Sequence, residues 1–402
     1  MILWREGRVT SERREWDGAV EYEVELEGQT RRALAYPALV GRPSVGQRVL
    51  LNVTALQRGL GTGGYALVVA ILDTLPADPP AGPGHLVKAR YTPLQAMVLG
   101  VDEQESQHHA VLEDADDLRG LPVVVADLHS ALPAIVAGLR QAAPRARVAY
   151  VMTDGGALPA WFSRTVAGLR HAGWLDTCIT VGQAFGGDLE AVSVHSGLLA
   201  ARHVAQVDVA IVSQGPGNLG TGTRWGFSGV QAGEVVNAAA TLNGRPIASL
   251  RVSGADARER HRGVSHHSLT AYGRVALAPA DVVVPDFTTS LPEVPLTLRA
   301  GEVPPASAPV PLPGGNPESA AVGDNPPIPL PELARLIDRQ VRAIVAPAGR
   351  HREVRVGVEG LLEALRESPV GLSTMGRNLA ADPAAFLTAA AAGRHAASLL
   401  SD

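Results

Sequence analysis

Hydrophobic and polar residues alternate strictly at positions 20–27, where the sequence VEYEVELE places a glutamate after every apolar residue. This period of two predicts a strand with one buried face and one face in water. Further strands are expected around residues 2–10, 47–54 and 65–72, because apolar runs there are separated by turns rich in glycine and proline. Residues 1–75 are therefore predicted to form a small β-barrel, either OB-like or SH3-like.

The pattern changes after Leu121, where short apolar runs alternate with longer segments whose apolar residues recur at helical spacing. Wholly apolar strands between helices are typical of a mostly parallel sheet with helices on both faces. Strands are expected at residues 123–128, 147–153, 177–181, 207–213 and 247–252. The fold class predicted for residues 121–284 is therefore α/β, a Rossmann-like ligand-binding domain.

Two proline-rich segments divide the chain. The sequence PADPPAGPG opens a linker and connecting segment predicted for residues 76–120, and ten prolines between Gly301 and Pro331 predict a second linker over residues 285–331. Beyond it, the start of a helix is expected at Asp382 and Pro383, with the aspartate as its N-cap. Residues 332–402 are predicted to form an α-rich segment, with one short strand, packed on the α/β domain.

Composition excludes several classes of protein. The chain has 402 residues, of which 46% are hydrophobic and 19% are charged, so we expect an ordinary folded protein. A formal net charge of -5 gives no overall attraction for nucleic acid or an anionic membrane. The single cysteine, Cys178, excludes an intrachain disulfide and a cysteine-rich zinc site. Because neither a leader nor a membrane-spanning run is found, we expect a cytoplasmic protein with no membrane partner.

A glycine-rich loop, SQGPGNLGTGTRWG, follows the strand expected at residues 207–213. Glycines let backbone N–H groups approach an anion closely. The loop matches G-x-G-x-x-G, but Ala240 stands where a Rossmann fingerprint has an acidic residue, and the lysine of a Walker A loop is missing. The alternative is a turn that only carries the chain over the sheet. The candidate ligand-binding residues are Gly215, Gly217, Asn218, Gly220, Thr221, Gly222, Thr223 and Arg224.

Histidines and carboxylates lie near the ends of several expected strands, and in an open α/β sheet these ends share the edge where ligands bind. Imidazole and carboxylate ligands suit Zn²⁺, Mn²⁺ or Fe²⁺. The candidate ligands of a divalent metal are Asp127, His129, His195 and His266. The candidate catalytic residues, for proton transfer, are His266, His267 and Asp154. We expect at least three of these six residues to share one pocket. The alternative, because no tight ligand spacing is present, is a set of hydrogen-bonded structural histidines.

Two groups of basic residues are further candidates. Arg251, Arg258, Arg260, His261 and Arg262 form a basic cluster beside the histidine pair, which is interpreted either as an anion contact or as a solvated helix face. Lys88 and Arg90 form the second, weaker candidate for an anion contact.

Several stretches resemble a bacterial family catalogued as domain of unknown function 3866. These are HLVKARYTPLQ, ADLHSALPAI, VGQAFGGDLEAVSVHSGLLAAR, SQGPGNLGTGTRWGFSGVQAGE, RHRGVSHHS and STMGR. The resemblance covers most of the chain. It implies a shared architecture and a shared site, and it transfers no activity.

The sequence therefore favours a protein that binds a phosphorylated or carboxylated small molecule, with metal-assisted hydrolysis or group transfer as the expected chemistry. The alternative is a non-catalytic nucleotide-binding sensor or assembly factor whose barrel contacts protein or RNA. The row of glutamates at positions 21–27 disfavours nucleic acid as a partner. The sequence leaves open whether the protein is an enzyme and whether it forms a homo-oligomer.

Overall fold

The structure is a computed structural model that describes residues 1–60, 62–287, 326–345 and 349–400. The chain forms two compact units, and the boundary between them lies at Gly82 and Pro83. Residues 83–120, predicted as a connecting segment, therefore belong to the second unit. Most of the linker predicted for residues 285–331 lies outside the described residues, although Pro285 and Asp286 belong to a strand.

The first unit is a closed barrel. Its strands are β1 (Trp4–Trp16), β2 (Ala19–Leu26), β3 (Gln29–Ala35), β4 (Arg48–Asn52) and β5 (Ala66–Ile71), with short helices α1 (Pro37–Val40) and α2 (Thr54–Gln57). The strand order is β1-β2-β3-β5-β4, and β4 pairs with β1 to close the barrel. Strands β3 and β5 are parallel, whereas the other pairs are antiparallel. The predicted barrel is confirmed, and its strand order is the OB-like one.

The alternating strand β2 buries its apolar residues as predicted, since Val20, Tyr22 and Val24 are all fully buried. The opposite face differs from the expectation at one position. Glu21 is also buried, because Tyr65 covers it and donates a hydrogen bond of 3.0 Å to its Oε2. The predicted wet face of this strand is therefore partly covered.

The second unit contains a parallel sheet, small antiparallel hairpins and helices. Its strands are β6 (Leu86–Lys88), β7 (Ala96–Val98), β8 (Pro122–Ala126), β9 (Val148–Thr153), β10 (Thr177–Thr180), β11 (Leu189–Glu190), β12 (Val209–Gln214), β13 (Arg245–Ser249), β14 (Val252–Ser253), β15 (Gly263–Val264), β16 (Asp281–Asp286), β17 (Arg352–Gly357), β18 (Ser373–Thr374) and β19 (Arg377–Asn378). Its helices are α3 (His109–Leu112), α4 (Leu132–Ala142), α5 (Arg164–His171), α6 (Val194–Leu199), α7 (Gln231–Thr241), α8 (His266–Thr270), α9 (Leu330–Val345), α10 (Leu361–Arg366) and α11 (Pro383–Ser398).

In the described residues the main sheet has eight strands in the order β11-β10-β9-β12-β8-β13-β16-β17, and every neighbouring pair is parallel. All residues of β8, β9 and β12 are buried, as expected for a parallel sheet covered on both faces. The predicted α/β class is confirmed. Within the described residues, no helix combines the length and the apolar character needed to cross a membrane.

The chain leaves the neighbouring strands β8 and β12 for different helices. Helix α4 follows β8 and packs against α11, whereas α7 follows β12 and packs against α6. Both α7 and α11 also contact β8 and β13, so the two helices cover opposite faces of the sheet. The order of the strands therefore reverses between β8 and β12, which is the position where open α/β sheets form a ligand crevice.

Helices α4 and α11 touch backbone to backbone. A methyl group at Gly138 in α4 would overlap the carbonyl oxygen of Ala390, and one at Gly393 in α11 would overlap the carbonyl oxygen of Ile135. Both helices therefore require glycine where they cross. This contact holds the C-terminal helix on the same face of the sheet as α4.

The short strand predicted in the C-terminal segment is β17, and it joins the main sheet beside β16. Helix α11 begins where predicted, with Asp382 as the N-cap residue and Pro383 in its first turn, but the Asp382 side chain makes no capping hydrogen bond. The Asp382 carboxylate points instead at the neighbouring loop after β13. It accepts hydrogen bonds from Ser253 Oγ at 2.5 Å, from Gly254 N at 3.0 Å and from Arg377 Nε at 3.0 Å.

The substitution Gly138→Ala should lower the free energy of unfolding by about 2 kcal/mol. Overpacking against a fixed backbone typically costs 1–3 kcal/mol and outweighs the gain in helix propensity of about 1 kcal/mol. Denaturant unfolding of the full chain measures this change. Gly371→Ala is the matched control, since nothing lies within 4 Å of an added methyl group there. Equal stability of the two variants would contradict the proposed tight crossing.

Asp281, at the start of β16, should make stability depend on acid pH. Burial alone would raise its pKa, but hydrogen bonds from His395 and Arg352 outweigh burial and lower the pKa to about 2. Because this value lies below that of the unfolded chain, the ionised carboxylate stabilises the fold above about pH 4. That contribution is lost as the pH falls from about 4 to about 2.

Asp281→Asn should therefore destabilise the protein at pH 6 by about 1–3 kcal/mol. The difference in melting temperature between wild type and variant should shrink as the pH is lowered to 3. A constant difference between pH 6 and pH 3 would show that the carboxylate charge is not what stabilises this contact.

Candidate functional site

The candidate site lies at the carboxyl edge of the main sheet. Asp127 directly follows β8, and Arg251 lies two residues after β13. The chain then forms the hairpin of β14 and β15 before α8 begins at His266. This short excursion returns His261, at the end of the hairpin loop, to the first residues of α8.

Three histidines converge at this point. His261, His266 and His267 each offer a ligand atom, and these atoms lie within 4.8 Å of one another. His261 and His267 are buried, whereas His266 is half-buried. No other group of three histidine, cysteine or carboxylate side chains in the described residues brings its ligand atoms this close. We call these three residues the histidine cluster.

Hydrogen bonds occupy one nitrogen on two of the three rings. His261 Nδ1 lies 2.8 Å from Ser265 Oγ, and His267 Nδ1 accepts from Arg251 Nη1 at 3.1 Å. His266 Nε2 is buried and has no hydrogen-bond partner in the described residues. Phe227 stacks on His267 with ring centroids 3.8 Å apart and fixes the plane of that ring. The cluster is thus held in place while at least one buried ring nitrogen stays unpaired.

Burial keeps two of these histidines neutral. Burial, together with the nearby charge of Arg251, lowers the pKa of His261 to about 2. Burial also lowers the pKa of His266 to about 4, with His267 and Arg260 as smaller causes. Neutral imidazole is the form of histidine that binds metal ions.

Asp127 lies beside the cluster. Its Oδ2 is 3.6 Å from His267 Nδ1, and this oxygen is buried with no hydrogen-bond partner in the described residues. The backbone of Asp127 is held by Gln214, whose Nε2 donates to its carbonyl oxygen at 2.7 Å. Gly229 allows the chain before α7 to approach, since a methyl group there would lie 2.8 Å from the same oxygen.

The structure therefore brings together three of the six residues expected to share a pocket, namely Asp127, His266 and His267. It adds His261, which the sequence placed only in a basic cluster. The available signal was the spacing H-x4-H-H in HRGVSHH, which puts a third imidazole close to the pair across one tight turn.

The other predicted metal ligands are placed elsewhere. His129 is not free to bind a metal, because its Nδ1 lies 2.9 Å from Tyr150 Oη and its Nε2 lies 2.8 Å from Ser163 Oγ. His195 is exposed near the start of α6. Asp154, a predicted catalytic residue, accepts a hydrogen bond of 2.9 Å from the backbone N–H of Gln183. None of these three residues belongs to the histidine cluster.

The glycine-rich loop packs closely on the turn that follows β9. A methyl group at Gly156 would overlap the carbonyl oxygen of Gly215, so these two backbones touch. Asn218 Oδ1 accepts hydrogen bonds from Gln214 Nε2 at 2.8 Å and from Ser228 Oγ at 3.2 Å. These bonds connect the loop to the two residues where it begins and ends. Two of the predicted ligand-binding residues, Gly215 and Asn218, therefore have structural roles.

The tip of the same loop is exposed. Gly217, Gly220, Thr221, Gly222, Thr223 and Arg224 all lie on the surface. Thr221 Oγ1 and Thr223 Oγ1 are 3.1 Å apart and hydrogen-bond to each other. Within this tip, Gly217 has a φ of 90°. The binding of an anion by this exposed tip stays a prediction.

Lys88, a predicted anion contact, is not accessible to a ligand. It is fully buried, and its Nζ donates to the carbonyl oxygens of Ala184 at 3.0 Å and Ala191 at 2.9 Å. The carboxylate of Glu190 lies 3.5 Å away and balances its charge. Lys88 therefore fastens the β6–β7 hairpin to the edge of the sheet.

Gly217→Ala should lower the free energy of unfolding by about 1 kcal/mol, because a side chain at positive φ is strained. Gly220→Ala is the control, since that residue has no positive φ and only one atom within 4 Å of an added methyl group. Denaturant unfolding measures both variants. If both lose the same stability, backbone strain at Gly217 is not the reason for its glycine.

Comparison with known proteins gives one family. A family model described as protein of unknown function (DUF3866) matches residues 32–393. A search of the curated proteins found no match. The matched range begins in β3 of the barrel and reaches into α11, so it includes the histidine cluster, Asp127 and the glycine-rich loop. The chain therefore belongs to the DUF3866 family of proteins of unknown function.

Proposed function

We propose that this protein is a divalent-metal-dependent hydrolase or transferase that acts on an anionic small molecule. The observation that carries the proposal is the convergence of His261, His266 and His267 within 4.8 Å at the ligand-binding edge of the sheet. The buried, unpaired Nε2 of His266 supports it, because a buried polar atom without a partner is costly unless a ligand satisfies it.

Three histidines are a ligand set found in catalytic zinc sites, where a fourth position stays open. Three nitrogens bound to zinc at about 2.0–2.1 Å lie about 3.3 Å apart in a tetrahedron. The ligand atoms must therefore approach one another by about 1–2 Å when the metal binds. A metal held there would polarise a substrate or lower the pKa of water to supply a nucleophile.

The environment of His267 suggests how its ring is oriented. A histidine that binds metal through Nε2 carries its proton on Nδ1 and donates it to a neighbour. In the structure His267 Nδ1 lies between a donor, Arg251 Nη1 at 3.1 Å, and an acceptor, Asp127 Oδ2 at 3.6 Å. In the proposed site, His267 donates to Asp127, and Arg251 is released to face the substrate.

The proposal predicts that the purified full-length protein binds one equivalent of Zn²⁺, Mn²⁺ or Fe²⁺. Dialysis followed by elemental analysis measures the bound metal. His266→Ala should weaken binding at least 100-fold, because it removes one of three ligands, and it should leave the fold intact since His266 is only half-buried. His195→Ala is the control, because that histidine is exposed and should leave metal binding unchanged.

Turnover is measured separately, with phosphate monoesters and carboxylate esters as substrates for the metal-loaded protein. Hydrolysis that is lost in His266→Ala supports an enzyme. Metal binding without turnover supports the alternative of a non-catalytic sensor. Metal binding that is equally strong in His266→Ala would refute the histidine cluster as the site.

A further inference from the structure

A narrow pocket lies next to the histidine cluster, on the α11 face of the sheet. Its polar wall includes Asp127, Ser249 and Arg251, which lie at or just beyond the ends of β8 and β13. Its apolar wall includes Ala385 and Phe386 of α11. The pocket is therefore polar where the strands end and apolar where the helix covers it.

Two hydrogen-bond donors in this wall have no partner in the described residues. They are Arg251 Nη2 and Ser249 Oγ, and both atoms are buried. In the described residues Arg251 makes no ion pair within 4 Å, and its other amino group donates to the ring of His267. The carboxylate of Asp127 in the same wall offsets part of its charge, but the buried Nη2 has no acceptor. An unpaired donor of a buried cation is costly, so its position favours an anion supplied from outside the protein.

Apart from the acceptor Asp127 Oδ2, which is also buried without a hydrogen bond in the described residues, the other polar side chains of the pocket are paired within the protein. Ser130 Oγ and Thr374 Oγ1 hydrogen-bond to each other at 2.9 Å. Arg377 pairs with Asp256 and with Asp382, in each case at 3.0 Å. The donors left for a ligand are therefore those of Arg251 and Ser249.

We propose that this pocket is the anion subsite of the protein and that it takes a carboxylate group with a short apolar substituent. Two free donors match the two oxygens of a carboxylate. The cavity measures about 30 Å³, which is room for about two water-sized groups such as the two oxygens of a carboxylate. The carboxylate of Asp127 in the same wall also repels a dianion more strongly than a monoanion.

This inference rests on the proposed function for the statement that the ligand is anionic, and it narrows that ligand to a carboxylate. It also places the anion at Arg251 rather than at the glycine-rich loop. When His267 binds metal, its Nδ1 would donate a hydrogen bond to Asp127 and would no longer accept one from Arg251. Both amino groups of Arg251 would then be available to the carboxylate of the ligand. Metal and carboxylate should therefore strengthen each other's binding by the same factor.

The test is isothermal titration of the full-length protein, first freed of metal with a chelator, with propionate and with inorganic phosphate as probes. Propionate should bind, and phosphate should bind at least 10-fold more weakly. Arg251→Gln should weaken propionate binding about 10- to 100-fold, because a hydrogen bond to a charged group is lost. Ser249→Ala should weaken it about 5-fold.

Arg274→Gln is the matched control, since it removes the same charge from an exposed position that does not line the pocket. It should leave propionate binding unchanged. Ser249→Ala also serves as a second variant in case Arg251→Gln fails to fold, which the melting temperature reveals.

Stronger binding of phosphate than of propionate would overturn the assignment of a carboxylate. Propionate binding that is unchanged in both Arg251→Gln and Ser249→Ala, or absent in the wild type, would overturn the subsite. These outcomes are separate from the metal test, because propionate is titrated without metal. A protein that binds propionate through Arg251 but binds no metal would keep the subsite and refute the metal-dependent function.

Discussion

The carboxyl edge of the sheet depends on the backbone contact between α4 and α11 at Gly138 and Gly393. Because neither glycine has a side chain, the two helices approach more closely than any other residue pair would permit. Ser130 and Ala131, which lead directly into α4, and Phe386 of α11 all line the pocket. The width of the pocket is therefore set by two residues that do not line it.

Polar contacts also hold the polar side of the pocket, where Ser253 and Arg377 lie. Arg377, in the hairpin of β18 and β19, joins the carboxylates of Asp256 and Asp382, and Asp382 also holds Ser253 in the loop after β13. Each charge in this network has a partner, which is the condition under which buried ions are tolerated. Arg251 lies two residues before Ser253 and lacks such a partner. The network therefore serves stability, whereas the proposed subsite assigns Arg251 to a ligand.

Five strands of the parallel sheet (β8, β9, β10, β12 and β13) could be predicted because each is an apolar run between helical patterns. Strand β16 was missed, since its run of three valines is short and ends at Pro285, and β11 has only two residues. The order of the strands could not be predicted, since periodicity does not tell which strands pair. For the site, the position of Asp127 after a strand led us to expect it near the histidine pair, and the structure places its Oδ2 3.6 Å from His267 Nδ1. His261 was missed because β14 and β15 have two residues each, too few to leave a periodic signal. His129 was misjudged because its partners, Tyr150 and Ser163, are distant in sequence.

The late position of α11 in the chain has a consequence for synthesis on the ribosome. Domains begin to fold from the N-terminal side as the chain emerges, so the barrel of residues 1–82 can form early. The sheet is complete only when β17 has been made, and the pocket gains its apolar wall only with α11. Until then the nascent chain exposes the apolar face that α11 covers, which makes this interval the one in which a chaperone is most needed.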